Sequence, residues 1–161
     1  MSLVQSTALA LDAASMPHEL VDVPNIEPTF ILTPPAPFLR DVEGFILVVR
    51  EAKSEIGLFA KASTLFDRER HWDGLMFANA ANELANWPRC FVDSEQLNFV
   101  LMIMPQSDAE APSRLGILAW AFMAEVATLA AAIPYINQQL RTPRDAVEHA
   151  LGDLRDTARN S

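Results

Sequence analysis

A chain of 161 residues, half hydrophobic and one-fifth charged, is long enough for one domain with its own core, and its composition is not that of a disordered chain. The net charge of -9, from 21 acids against 12 bases, argues against a surface that tracks nucleic-acid phosphates, because such a surface needs a positive face. A single cysteine, Cys90, excludes an intramolecular disulfide and any cysteine-based zinc site.

No basic residue precedes Arg40, so the positively charged start of a secretory signal is missing and a cytoplasmic location is expected. Ten of the twelve bases are arginine and alanine is abundant, which suits a GC-rich bacterial gene.

Residues 1–37 read as an N-terminal arm, extended or partly disordered, ahead of a domain over 38–161. Pro17, Pro24, Pro28, Pro34, Pro35 and Pro37 each fix φ and remove a backbone donor, which excludes a regular helix there. Before them, TALALDAAS predicts at most a short helix. The run Phe30, Ile31 and Leu32 is too apolar for a solvated linker, so the arm is expected to lie on its own surface or a partner's.

From Pro37 to about Ser63 the recurrence of Phe38, Val42, Phe45, Val49, Ala52, Ile56 and Phe59 at spacings of three and four predicts an amphipathic helix. Within it GFILVVR is β-branched and apolar on both faces, and a buried strand is the alternative there. A second helix is expected over Arg68–Asn86, with Trp72, Met76, Ala80 and Leu84 on one stripe. Asn79, Asn82 and Asn86 form a neighbouring line. Asparagine competes with the helix backbone for hydrogen bonds, so that line reads as a wet face or as a surface that bonds a partner.

Trp87-Pro88 ends this helix. Asp93 or Ser94 then caps a short, nearly all-apolar helix through EQLNFVLMIM, with a central strand as the alternative. The acidic segment 106–112 reads as a surface connection.

The longest apolar run follows, about 113–133, with Glu125 as its one charge between Leu115 and Ile133. It is long enough to span a bilayer, but a glutamate in the middle of the membrane is costly. A central core helix is the expectation. Beyond Pro134 the helix continues past a kink, and Thr142-Pro143 starts a last helix, with threonine at the cap and proline at the first position. Val147, Leu151, Leu154 and Ala158 give that helix a narrow apolar seam.

The five glycines are isolated, which leaves no phosphate-cradling loop or dinucleotide turn. His18, His71 and His149 lack the spacing of a helical metal pair, and no serine sits in a nucleophile elbow. Glu51 and Glu55, expected one turn apart, read as part of a solvated face. No enzyme, cofactor or metal is expected on these grounds.

The sequence therefore predicts an all-α protein, a compact irregular bundle of four to five helices around the apolar helix, with the Pro-rich arm attached. It is read as a non-enzymatic interaction or assembly protein, of adaptor, chaperone-like, immunity-type or particle-subunit kind. Its expected partner is another protein or a second copy, with no nucleic acid and no membrane span. Phe30, Ile31, Leu32, Asn79 and Asn82 are the candidate contact residues. The alternative is a small-molecule binder with a pocket between helices near His71 and Trp72, or beside Glu125.

Overall fold

A computed structural model of the chain describes residues 1–105 and 111–161, with the side chains of 111–113 outside that description. The acidic connection expected at 106–112 therefore falls largely outside the described residues. Five helices, α1 (Leu3–Ala13), α2 (Ala36–Leu39), α3 (His71–Leu84), α4 (Ala111–Asn137) and α5 (Pro143–Asn160), accompany six strands. The strands are β1 (His18–Val21), β2 (Thr29–Leu32), β3 (Val42–Arg50), β4 (Glu55–Ala62), β5 (Arg89–Asp93) and β6 (Gln96–Ile103).

They form one antiparallel sheet in the order β1-β2-β3-β4-β6-β5. The all-α bundle is thereby corrected to an α/β architecture. The helix expected from Pro37 to Ser63 is the hairpin β3–β4, and the helix expected after Asp93 is β6.

The reason lies in the register. Phe45, Leu47 and Val49 are buried on one face of β3, while Ile46 and Val48 lie on the other face and are themselves apolar. A strand apolar on both faces lacks a clean alternation of period two, and a stripe at spacings of three and four can be drawn through it by chance. The β5–β6 turn is equally disguised. Ser94 and Glu95 both adopt positive φ, at 49° and 63°, between the paired Asp93 and Gln96. This is the geometry of a two-residue hairpin turn, in which Asn-Gly is the usual signal.

Residues 1–37 are also not a separate arm. A capping box joining Ser2 and Gln5 starts α1, and β2 lies second in the sheet with Phe30 and Leu32 fully buried. Five of these prolines fall in the connections between the short elements and Pro37 in the first turn of α2, where their missing donors are tolerated.

The helices share the face of the sheet that carries Phe30, Phe45, Leu47, Leu58 and Phe99. Across it runs α4, which packs on β3, β4 and β6 and is flanked by α1 and α5. Its length and composition would suit a membrane span, but here it is the core helix: Leu115, Ala119, Phe122, Met123, Val126 and Leu129 are buried. At Gly116 an added Cβ would collide with Ala14, the C-cap of α1, so the two helices touch nearly backbone to backbone. The indole of Trp120 adds a bond, donating to the Ala14 carbonyl at 3.1 Å. On the other side, α5 starts as expected, with Thr142 accepting from the Asp145 N–H and Pro143 in the first turn.

Candidate protein interface

Among the described residues the helices lie to one side of the sheet, α5 packing on α3 and α4 behind it, and none covers the other face. Its central row crosses four strands through Ile31, Ile46, Phe59 and Val100, since Ile31 pairs with Ile46, Ile46 with Phe59 and Phe59 with Val100. Val48 and Met102 stand beside that row, and Phe91 projects near its β5 end. Ile31 is 43% exposed, Ile46 40%, Met102 38% and Phe91 51%. Single exposed apolar residues are ordinary on a protein surface, whereas a contiguous apolar row across four strands is not.

The row is shaped as well as apolar. Gly57 lies on this face between Val48 and Met102, and an added Cβ there would overlap the Phe59 ring. The absence of a side chain lets Phe59 lie flat along its own strand. Beside it Glu43, Ile46, Lys61, Phe91 and Asn98 border an open depression of about 530 Å³. Charge lies at the margin: Glu19 and Arg89 end the row on β1 and β5, Lys61 and Glu43 lie to one side of it, and Arg50, ion-paired with Glu27 at 3.2 Å and Glu55 at 3.6 Å, lies to the other. An apolar centre with a polar rim is the usual anatomy of a protein contact.

The residues singled out from sequence are scattered over the fold. Ile31 belongs to the outer row, whereas Phe30 and Leu32, its neighbours on β2, point into the core. His71 and Trp72 start α3 and both stand in solvent, Trp72 being 75% exposed. Asn79 is exposed on the same helix.

Asn82 has a structural task. Its side-chain NH2 donates to the Cys90 carbonyl at 2.8 Å and its side-chain oxygen accepts the Cys90 N–H at 2.6 Å, which takes up the outward peptide groups of edge strand β5. An amide side chain thus replaces a seventh strand at that point. Behind it, burial pushes the Cys90 thiol up to about 12, with Arg89 opposing and Glu125 reinforcing the shift, so the thiol is inert at neutral pH.

Glu125, 5% exposed, accepts three hydrogen bonds: from the Trp87 N–H at 3.0 Å, the Asn86 N–H at 3.4 Å and the Asn86 side-chain amide at 3.3 Å. Its carboxylate is committed to the α3–β5 connection. Among the described residues no three His, Cys, Asp or Glu side chains converge to hold a metal ion.

Sequence reasoning missed Ile46, Phe59, Val100 and Met102 as a group, because the register that aligns them spans residues 31 to 102 and exists only in the folded sheet. The one available signal was GFILVVR, a strand apolar on both faces.

No protein-family model matches the sequence, and no curated protein matches it either. The fold is similar to the crystal structure of YbjN from E. coli, described as a candidate transcription regulator. The TM-score is 0.55 at 10% identity, over 84% of this chain and 93% of that one. At that identity the likeness concerns architecture alone.

Proposed function

We propose that this chain is a non-enzymatic protein-interaction or assembly protein whose contact surface is the outer face of its sheet. The observation that carries the reading is the apolar row in which Ile31 and Ile46 are exposed and Phe59 and Val100 half-buried, with the exposed Met102 and Phe91 beside it. The occupant it suits is a partner protein that lays apolar side chains across the strands and meets the charged rim at Lys61, Glu43 and Arg50. This replaces the detached arm as the contact element and keeps only Ile31 of the arm residues in the interface.

The test is a pair of charge insertions on the exposed row, Ile46→Glu and Met102→Glu, in the full chain. Both side chains already touch water, so the circular dichroism and melting of each variant should stay near the wild type. Each should weaken, by about tenfold or more, association with any protein that the wild-type chain binds through this face, the effect of burying an unpaired charge in a contact centre. Unchanged association with both variants would overturn the reading.

A further inference from the structure

The two edges of the sheet are treated differently. On β5 the outward peptide groups of Cys90 are taken by Asn82, and α3 packs along the strand. On β1 the pairing can be read from one bond, the Thr33 N–H donating to the Pro17 carbonyl at 2.8 Å. In an antiparallel ladder that bond, with the observed register, directs the peptide groups of Glu19 and Val21 towards β2. The N–H and C=O of His18 and Leu20 then point away from the sheet, and among the described residues no hydrogen bond reaches them. Leu20 is 42% exposed at the same edge.

The formal charge that the first 39 residues bring to this edge has one sign. The first 39 residues contain Asp12, Glu19, Asp22 and Glu27 and no lysine or arginine. Glu27 is paired with Arg50 of β3, but Asp12, Glu19 and Asp22 are exposed, and the one cationic candidate among them, His18, lies 4.0 Å from Asp12. A second copy pairing here would bring Glu19 and Asp22 of both chains to one seam, where like charges oppose association. A strand carrying lysine or arginine would meet the opposite situation. The same acids that repel another copy attract a basic partner, which is specificity built from a repulsive and an attractive element together.

We infer that the open edge of β1 accepts an extended, basic segment of a partner protein as a seventh strand, hydrogen-bonded to His18 and Leu20. Main-chain bonds supply attachment and the acids supply selection. Side chains of the added strand alternate: those on the outer face lie beside Glu19, and those on the helix-bearing face lie beside Leu20. The segment therefore has basic residues at one set of alternate positions and apolar residues at the other. This deepens the proposed interaction role with a second surface, and the two surfaces can fail separately, because a change at Leu20 leaves the Ile46 row untouched.

The probe is a short end-blocked peptide of alternating lysine and valine, compared with its glutamate–valine counterpart, titrated into the full chain and followed through the amide signals of His18 and Leu20. The expected result is saturable binding of the lysine peptide alone, with slowed hydrogen exchange at those two amides. Of the backbone groups Leu20→Pro removes only an outward donor, a replacement that edge strands tolerate, and Leu20→Ala, which shortens the side chain and keeps the donor, separates the two contributions. Leu20→Pro should weaken binding by about tenfold, the loss of one well-made hydrogen bond, while the melting curve confirms the fold. Glu19→Lys, which leaves the backbone donors in place, should weaken it as well. No saturable binding would overturn the inference, as would equal binding of the glutamate peptide. Binding that Leu20→Pro leaves intact would reduce the effect to surface charge, and a dimer abolished by Leu20→Pro would assign the edge to a second copy. Either result overturns the inference.

Discussion

The carboxylate of Glu125, midway along the central helix, accepts the backbone N–H of Trp87 at 3.0 Å and so ties that helix to the chain between α3 and β5. Together with the two bonds from Asn86 it satisfies the peptide groups that α3 leaves behind where Pro88 bars its continuation. The charge that stands out in the apolar run is thus a clamp on a neighbouring turn.

Glu125→Gln should therefore destabilise the fold. The glutamine oxygen can serve some of the three donors, but its NH2 group presents hydrogens where a second acceptor is needed. Leaving a buried donor unpaired costs about 1–3 kcal/mol. Urea denaturation of the variant should show a lower midpoint with an unchanged slope. A midpoint equal to the wild type would show that the clamp contributes nothing.

Asn82 and Cys90 give a second prediction, with two readouts. Asn82→Ala removes both bonds to the β5 edge and should cost about 1–3 kcal/mol by the same reasoning. It should also speed labelling of the Cys90 thiol, which in the wild type reacts only as fast as the edge opens. The thiol ionises near its ordinary 9.0 when unfolded but at about 12 when folded, because burial disfavours the thiolate. Above pH 9 the unfolded chain then binds fewer protons than the folded one, so the stability this group contributes is complete below pH 9 and declines towards pH 12. Cys90→Ala should flatten that part of the stability curve, and parallel curves for variant and wild type would contradict the burial of the thiol.

Removing residues 1–35 should unfold the protein. An arm could be trimmed with its helices intact, but this segment supplies α1 against α4 and two strands of the sheet. Phe30→Ala isolates the point in a single residue. Its ring is fully buried and lies 5.5 Å from the His18 ring in an edge arrangement, and losing a buried phenylalanine costs about 3–5 kcal/mol. Thermal melting followed by circular dichroism would decide, and a truncated chain that keeps a cooperative transition would show the segment to be an appendage after all.

How much of this was legible beforehand varies by element. The apolar helix near 113–133, the helix after Arg68, the Thr142-Pro143 start and the short α1 are all present, because caps, prolines and spacings of three and four are local signals. The candidate site was hardly legible at all. Of the arm residues, Ile31 alone faces outward on the row; Asn82 and Glu125 stand out in the sequence because they are unusual where they occur, yet each is spent on internal hydrogen bonds. A polar residue in an apolar context signals a constraint without telling an internal constraint from an external one.

The sequence by itself determined roughly where α1, α3, α4 and α5 lie, that the long apolar run had to be largely buried, that no intramolecular disulfide could form, and that the chain is acidic overall. Each follows from residues within a turn or two of one another, or from composition. Only the tertiary structure decided that residues 42–62 and 89–103 form strand hairpins, that Phe30 and Leu32 face the core while Ile31 faces out, and that one side of the sheet and its β1 edge are left uncovered by the described residues. Pairing partners such as Phe59 and Val100 are 41 residues apart and Ile31 and Ile46 are 15 apart, and when both faces of a strand are apolar no local period says which side each residue takes. The sheet's register assigns those sides, and it exists only once the chain has folded.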